Sequence, residues 1–218
     1  MRGLYPIVDL TTLARHGRPV LAFTEEVLAV RPALLQLRAK DAPAREVLDW
    51  LRQLVPRCHA VGTKLIANDR PDLALLAGCD GVHLGQEDLP IGEVRLLAGN
   101  RLEIGVSTHD LGQLERALDT RPDYVAFGPI FATASKEAPD PVVGLNVLQQ
   151  AATLARAAGV PLVAIGGIDL VRAPRVAESG ALGAVIGALL PAAEATTVSA
   201  GPSPVTERAW ALHRALGG

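Results

Sequence analysis

The segment KLIANDRPDLALLAGCDGVHLGQEDLP (64–90) contains two short apolar runs that are separated by a helical pattern at 72–77. The first run ends in Asn68 and Asp69, and the second, GVHLG, ends shortly before Asp88. A strand, a helix and a second strand form a βαβ unit, in which the strands are parallel and their carboxyl ends share one edge of the sheet. The segment therefore predicts that Asp69 and Asp88 converge on one point.

Two carboxylates that meet at a strand edge have two interpretations. They can bind a hard cation, since Mg²⁺ is commonly held by one or two carboxylates together with substrate phosphates. Alternatively, Asp69 can cap a helix that begins near Pro71, and Asp88 can cap one that begins near Pro90. The spacing by itself leaves both interpretations open.

The alternation of apolar strands and helical patterns continues along the whole sequence. Strands are predicted at 3–10, 33–40, 64–68, 81–85, 103–108, 123–130, 160–167 and 183–190. Helices are predicted at 24–30, 44–61, 72–77, 92–98, 111–118, 145–158, 170–179 and 205–216. Eight βα units in about 200 residues predict a single domain over 1–218 with a closed (β/α)8 TIM barrel, whose chemistry lies at the carboxyl ends of the strands. The segment 195–204 is predicted to be a surface loop.

Composition narrows the function classes. Of the 218 residues, 49% are hydrophobic and 20% are charged, and the net charge of -2 gives no case for a nucleic-acid surface. Cys58 and Cys79 form no zinc-binding spacing, which favours two reduced thiols. Residues 3–10 already read as a strand, and no apolar run reaches the ~18 residues that span a bilayer. We therefore expect a soluble, cytoplasmic protein that binds no membrane.

The second predicted strand carries polar side chains at every other position. Gln36, Arg38 and Lys40 alternate with apolar residues, so they share one face of the strand. A half-solvated strand would explain this pattern in an antiparallel sheet. In a parallel sheet both faces are normally covered, so two cations on one face favour an anion site at the mouth of the barrel.

Later strand ends supply further candidates. His83 is either a hydrogen-bonded core residue or a catalytic group, and Ser107 either holds a phosphate oxygen or caps the next helix. The long loop after the sixth strand carries Thr133, Ser135 and Lys136, which favours a functional loop. Gly167 and the pair Ile186 and Gly187 end the last two strands, where backbone N–H groups commonly bind phosphate in barrels.

These motifs resemble the thiamine-phosphate synthase family over most of the chain. The matching pieces are LYPIVD (4–9), QLRAK (36–40), NDRPDLAL (68–75), DGVHLGQEDLP (80–90), GVSTH (105–109), DYVAFGPIFATASK (123–136) and VPLVAIGGI (160–168). The resemblance implies a transferase that joins 4-amino-2-methyl-5-pyrimidinylmethyl diphosphate to 4-methyl-5-(2-phosphoethyl)thiazole, with Mg²⁺ as cofactor. Thiamine phosphate and pyrophosphate would be the products.

The resemblance also implies a role for each candidate residue. Gln36, Arg38, Lys40, Asn68, Ser107 and Lys136 would hold the pyrimidine diphosphate. Thr133, Ser135, Gly167, Ile186 and Gly187 would hold the thiazole phosphate. Asp69 and Asp88 would bind Mg²⁺, and His83 would lie beside the pyrimidine. Both partners are small molecules, and a homo-oligomer is compatible with the pattern.

The sequence departs from the family pattern at three named positions. The family commonly has Glu at Ala39, Thr at Ser135 and Ser at Gly187, and the eighth strand is one residue short. None of these departures removes a charge from the diphosphate or metal site.

Three rival interpretations remain. A thiazole tautomerase of the same superfamily would carry His in place of Pro129 and would tend to lose the two carboxylates. A generic phosphate-binding barrel would explain Gly167 and Gly187 but not the paired carboxylates. A non-catalytic ligand-binding barrel would retain binding without turnover.

Overall fold

A computed structural model describes residues 2–133, 140–190 and 201–218 of the chain. Its strands are β1 (Leu4–Asp9), β2 (Leu34–Arg38), β3 (Lys64–Asn68), β4 (Gly81–Leu84), β5 (Glu103–Thr108), β6 (Tyr124–Phe127), β7 (Leu162–Ile165) and β8 (Leu182–Val185). All are parallel and paired in sequence order, and β8 pairs with β1 to close the barrel. The predicted (β/α)8 TIM barrel is confirmed.

Helices cover the outside of the barrel. They are α1 (Leu10–Arg15), α2 (Val20–Leu28), α3 (Ala44–Ala60), α4 (Pro71–Ala77), α5 (Ile91–Ala98), α6 (Leu111–Asp119), α7 (Gly144–Ala157), α8 (Ala173–Ala177) and α9 (Pro204–Ala215). Side chains at helical spacing on α3, from Val47 through Leu51 and Leu54 to Cys58, are buried, which gives this helix one apolar face. Within the described ranges, no helix is both long and apolar enough to cross a membrane.

The core has two layers because strand side chains alternate between the two sides of the sheet. Val82 and Leu84 on β4 pack outward in the cluster beneath the helices. A separate cluster fills the inside of the barrel and includes Tyr5, Ile66 and Tyr124. Gly105 on β5 leaves room for this inner layer, since a Cβ at that position would overlap the ring of Tyr124.

The first helix was missing from the sequence prediction. Helix α1 follows β1 without a connecting loop, because Asp9, the last residue of the strand, is also the helix N-cap. Its Oδ1 accepts a hydrogen bond from the backbone N–H of Thr12 at 2.7 Å. A strand residue that doubles as a cap leaves no turn signal between the two elements.

Two predicted elements near the carboxyl terminus are shorter than expected. The predicted helix 170–179 begins only at Ala173, because the carboxylate of Asp169 accepts bonds from the N–H groups of Val171 and Arg172 and holds them in a turn. The predicted strand 183–190 ends at Val185 and is followed by a 3₁₀ turn at Gly187–Leu189. Residues 195–200 of the predicted surface loop lie outside the described ranges.

Candidate active site

Most of the candidate residues lie on neighbouring strands at the carboxyl end of the barrel. Gln36 and Arg38 are on β2, Asn68 ends β3, and His83 is on β4. Asn68 lies beside His83 in the sheet register, and the adjacent strand β5 carries Ser107. The βαβ topology therefore brings these side chains to one mouth, as the sequence predicted.

Arg38 is held by a carboxylate that the sequence analysis did not identify. Its guanidinium donates a hydrogen bond to Oδ2 of Asp9 at 2.5 Å, and the two residues are partners in the strand register. Asp9 is only 4% exposed, and its other oxygen caps α1. Because both oxygens of Asp9 are engaged, the carboxylate fixes one side of the Arg38 guanidinium. An acidic residue at the end of the neighbouring strand was the available signal.

Lys40 lies beyond the end of β2, which stops at Arg38. Its ammonium acts on the carboxyl group of Asp69 and so belongs to the same side of the mouth. Gln36 is buried at 3% exposure and donates to the hydroxyl of Tyr5 at 3.0 Å. The predicted polar face of strand two therefore has three different environments along its length.

Asp69 and Asp88 face each other, and neither caps a helix. The N-caps of α4 and α5 are Arg70 and Pro90, without side-chain cap bonds. Asp88 instead accepts from the N–H of Gly85 at 2.6 Å. Asp69 has a φ of +61°, a left-handed conformation that is uncommon for residues other than glycine. The capping interpretation is wrong for both residues.

Burial, a hydrogen bond with Asp88 and the charge of Asp88 raise the pKa of Asp69 to about 6. The ammonium of Lys40 and a hydrogen bond with Asn68 lower it again, but they do not outweigh these effects. Two carboxyl groups within hydrogen-bonding distance repel each other when both are ionised, unless a cation lies between them. The part of the raised pKa that comes from Asp88 reflects repulsion that a bound cation would relieve, whereas the larger part comes from burial.

The donor set fits a hard divalent cation. In the part of the chain that the structure describes, no group of three or more His, Cys, Asp or Glu side chains could hold a metal ion. Two carboxylates alone leave most positions around a cation for water or phosphate oxygens. That ligand set suits Mg²⁺, which keeps several waters and commonly shares its remaining ligands with a bound phosphate group.

A row of hydrogen bonds crosses the inside of the barrel beneath the mouth. Gln36 contacts the hydroxyl of Tyr5, which lies 3.0 Å from the hydroxyl of Tyr124. The Tyr124 hydroxyl lies 3.0 Å from Nδ1 of His83, and Nε2 of His83 lies 2.8 Å from Oγ of Ser107. We call these five side chains the barrel relay. Sequence reasoning missed both tyrosines, since each reads as an apolar strand residue.

His83 is a buried, neutral side chain at the inner edge of the site. Burial lowers the pKa of His83 to about 4, although the charge of Asp88 opposes this. Its ring stacks on Tyr124 at 5.6 Å between centroids with an interplanar angle of 19°. The interpretation of His83 as a hydrogen-bonded core residue is therefore confirmed, and a role for it at the pyrimidine stays a prediction. Ser107 does not cap α6, because Asp110 is the N-cap of that helix.

The glycine pair after β7 packs against the loop that follows β6. Gly167 has a φ of +63°, and a Cβ there would collide with the carbonyl oxygen of Ala132. Arg172 was not predicted from the sequence. It donates to the carbonyl oxygen of Gly167 at 2.8 Å, and its guanidinium lies 5.0 Å from the ring centroid of Phe131. A cation therefore stands beside the predicted phosphate-binding glycines.

Three of the remaining candidates follow β8 or β6, namely Ile186, Gly187 and Thr133. Ile186 precedes the 3₁₀ turn that begins at Gly187, and a Cβ added to Gly187 would meet no atom within 4 Å. Thr133 is half-buried and is the last residue before the undescribed segment 134–139. Ser135 and Lys136 lie outside the described residues.

Comparisons with known proteins agree with this arrangement. A family model described as thiamine monophosphate synthase matches residues 4–189. The thiamine-phosphate synthase of Anaeromyxobacter dehalogenans is 44% identical over 200 residues, which cover 91% of this chain and 85% of that protein. The thiamine-phosphate synthase of Laribacter hongkongensis is 41% identical over 194 residues, covering 88% of this chain and 87% of that protein.

Solved structures show the same relationship. The thiamine phosphate pyrophosphorylase of Pyrococcus furiosus superposes with a TM-score of 0.82 at 30% identity, covering 98% of this chain and 95% of that one. A 3-hexulose-6-phosphate synthase superposes with a TM-score of 0.69 at 20% identity, which shows a shared fold alone. The family match over most of the barrel, together with these relatives, establishes that the chain belongs to the thiamine monophosphate synthase family.

Proposed function

We propose that this chain is a thiamine-phosphate synthase that joins the pyrimidine diphosphate to the thiazole phosphate and releases pyrophosphate. The observation that carries this proposal is the meeting of a carboxylate pair, Asp69 and Asp88, with the cations Arg38 and Lys40 at one barrel mouth. Opposite charges arranged in this way suit a metal-bound diphosphate. Family membership supplies the identity of the two substrates.

The diphosphate would be held by groups that stabilise negative charge. Arg38 keeps donors free of Asp9 because guanidinium has five N–H groups, and Asp9 orients them. Lys40, Asn68 and Ser107 would complete this site, with Lys136 as a further cation proposed from the sequence. Charge grows on the diphosphate as it leaves, so donors that are already in place lower the barrier.

Asp69 and Asp88 would hold Mg²⁺. When bound, the ion would act as a Lewis acid that neutralises charge on the diphosphate oxygens. The positive charge of the ion would offset the energetic cost of burying one carboxylate beside the other. The two side chains come from consecutive βα units, so the barrel itself would set their separation.

The reaction we propose needs no protein nucleophile. The bond between the pyrimidine CH₂ and the diphosphate oxygen breaks with its electron pair on oxygen, and the thiazole nitrogen then donates its lone pair to that carbon. The amino group of the pyrimidine can supply electrons toward the CH₂ as the leaving group departs. The protein would align the two substrates and keep water from the cationic carbon.

Ser107 and His83 are hydrogen-bonded, yet they are a poor nucleophile and base. Their atoms lie 2.8 Å apart, as in an activated serine. However, the lowered pKa of His83 makes the imidazole a weak base, and Nδ1 contacts the Tyr124 hydroxyl where an activated pair has an orienting carboxylate. This pair therefore favours the substitution over covalent catalysis at Ser107.

The thiazole phosphate would lie across the mouth, at the ends of β7 and β8. Gly167, Ile186 and Gly187 would offer backbone N–H groups, and Thr133 and Ser135 would offer hydroxyls. Arg172 stands beside Gly167 and would add positive potential at this phosphate. Small-molecule recognition would need no other partner, and homo-oligomerisation stays a prediction from the sequence.

The test is formation of thiamine phosphate from the two purified substrates, with and without Mg²⁺, in wild type and in Asp88→Ala. We expect Mg²⁺-dependent product in wild type and a collapse of activity in the variant. Asp72→Ala is the matched control, because Asp72 lies on α4 as an exposed carboxylate and pairs with Arg70, the N-cap of that helix. No product, but conversion of a thiazole carboxylate tautomer, would instead place the chain among the tautomerases.

Gly187→Ser is expected to lower the KM for the thiazole phosphate by about tenfold or more, since a hydrogen bond to a charged group contributes roughly 1.5 kcal/mol or more. The added Cβ would meet no atom within 4 Å, so the hydroxyl can be accommodated. Steady-state kinetics with each substrate varied in turn would measure the effect. Gly187→Ala should give no such gain, and an equal gain in both variants would contradict a hydroxyl contact.

A further inference from the structure

We propose that hydrogen bonds in the barrel relay run in one direction, from Gln36 to Ser107, and that Tyr5 and Tyr124 are positioning residues that make the Ser107 hydroxyl a donor toward an anion. The anion's identity as the substrate diphosphate rests on the proposed function. The direction of the hydrogen bonds is a property of the protein alone and can be tested separately.

The direction begins at Gln36. Its Nε2 can only donate, and it lies 3.0 Å from the hydroxyl oxygen of Tyr5. When the Tyr5 hydroxyl accepts from Gln36, the hydroxyl of Tyr124, 3.0 Å away, is the partner among the described residues that can accept its one hydrogen, so Tyr5 donates to Tyr124. Tyr124 has then accepted, and its hydrogen goes to Nδ1 of His83 at 3.0 Å. Each step fixes the next.

The hydrogen-bond partners of His83 also set its protonation state and tautomer. Nδ1 accepts from Tyr124, so a neutral imidazole carries its hydrogen on Nε2 and donates it to Oγ of Ser107 at 2.8 Å. An imidazolium would donate from both nitrogens, and Tyr124 would then accept from both sides. Its own hydrogen would have no acceptor at a residue that is 1% exposed. The neutral Nε2–H tautomer satisfies every member of the relay.

Ser107 is where the relay reaches the mouth. Once its oxygen accepts from His83, the Ser107 hydrogen is free to point toward a ligand. Phosphate oxygens only accept hydrogen bonds, so a donor here suits a diphosphate. In the opposite direction Ser107 would donate to His83 and turn only lone pairs toward the ligand. The two tyrosines therefore decide whether Ser107 attracts or repels an anion.

The burial of the relay makes its direction persistent. Tyr5 and Tyr124 are each 1% exposed, so water does not supply alternative partners for their hydroxyls. Burial raises the pKa of both phenols, which keeps their hydrogens in place. Among the described residues, the one buried side-chain nitrogen or oxygen without a hydrogen-bond partner is Nε of Arg18, which is not a member of the relay. The relay is fully satisfied.

The direct test is the tautomer of His83, read from long-range ¹⁵N–¹H correlations of the full chain labelled with ¹⁵N-histidine. The chain has five histidines, so a His83→Gln variant assigns the resonances. We expect the Nε2–H tautomer in wild type and a mixture of tautomers in Tyr124→Phe, which keeps the ring but removes the hydroxyl. An Nδ1–H tautomer or an imidazolium at neutral pH in wild type would overturn the proposal.

The functional readout is the affinity for the anion. In Tyr124→Phe we expect the KM for the pyrimidine diphosphate to rise about tenfold, while the KM for the thiazole phosphate stays within about twofold. The loss should be absent when Tyr124→Phe is added to Ser107→Ala, because both changes remove the same donor. Additive losses in the double variant would contradict a role through Ser107.

Thr108→Val is the control for a purely structural effect. Thr108 is on the same strand as Ser107, and its buried hydroxyl donates to the carbonyl oxygen of Ala126 at 2.8 Å. This variant should lose stability but keep the His83 tautomer and the substrate KM values. If the chain proves not to be a synthase, binding of inorganic pyrophosphate by calorimetry replaces the KM. If Thr108→Val and Tyr124→Phe then weakened pyrophosphate binding equally, the proposed role of the relay would be overturned.

Discussion

Asp69→Asn is expected to reduce kcat/KM by about 100-fold or more and, in the absence of metal, to raise the free energy of unfolding at pH 7.5. The activity falls because the variant removes a carboxylate proposed to hold the cation at the leaving group, and the loss of one such electrostatic contact costs about 100-fold to 1,000-fold. The stability rises because Asp88 no longer faces a second negative charge. Asparagine also tolerates the φ of +61° at this position.

The pH dependence gives the sign of the stability effect. The pKa of Asp69 is raised from 3.8 to about 6 in the folded protein, first by burial and then by Asp88. Ionised Asp69 therefore destabilises the metal-free protein; the penalty is absent below the unfolded pKa and complete above the folded one. From this group, stability is gained as the pH falls from 7 toward 4. Asp69→Asn should remove that gain.

Thermal unfolding in EDTA between pH 4.5 and 7.5 would measure the difference between wild type and Asp69→Asn. The difference in Tm should be largest at pH 7.5 and should shrink as the pH falls through about 6. Asp72→Asn is the control of opposite sign, since a hydrogen bond from Arg70 lowers the pKa of Asp72. A variant that is less stable than wild type at pH 7.5 would contradict repulsion between Asp69 and Asp88.

The sequence was sufficient to place the carboxylate pair because its position depends on topology. Two consecutive βα units bring Asp69 and Asp88 to the same mouth whatever the details of the side chains. Excluding the capping interpretation needed the structure, and metal binding stays a proposal. Asp69 lies one residue before the N-cap Arg70, and Asp88 lies two residues before the N-cap Pro90. Sequence signals for the start of a helix do not resolve a difference of one or two residues.

Contacts between distant strands could not be predicted in the same way. Tyr5 and Tyr124 are 119 residues apart, and their hydroxyls meet only because β1 and β6 place them at the same depth inside the barrel. In the sequence both are aromatic residues in apolar runs, which β-propensity alone explains. Asp9 was missed for a related reason, since its pairing with Arg38 depends on the register between β1 and β2.

Arg38→Met is expected to reduce both activity and stability, for separable reasons. The guanidinium is proposed to stabilise charge on the departing diphosphate, so kcat/KM should fall by about 100-fold. Its removal also leaves the Asp9 carboxylate, which is 4% exposed, without its cation. Removing one partner of a buried ion pair costs about 3 kcal/mol of unfolding free energy or more. Urea denaturation and steady-state kinetics would measure the two losses.

The double variant Asp9→Asn/Arg38→Met separates the two roles of Arg38. Asparagine keeps an oxygen for the Thr12 N–H that caps α1 but carries no charge. Stability should therefore return to within about 1 kcal/mol of wild type, because neither partner is left as an uncompensated charge. Activity should stay low, since no cation faces the diphosphate. Arg57→Met, which breaks an exposed pair with Glu25, should leave both quantities nearly unchanged. Recovery of activity in the double variant would mean that Arg38 serves only to neutralise Asp9.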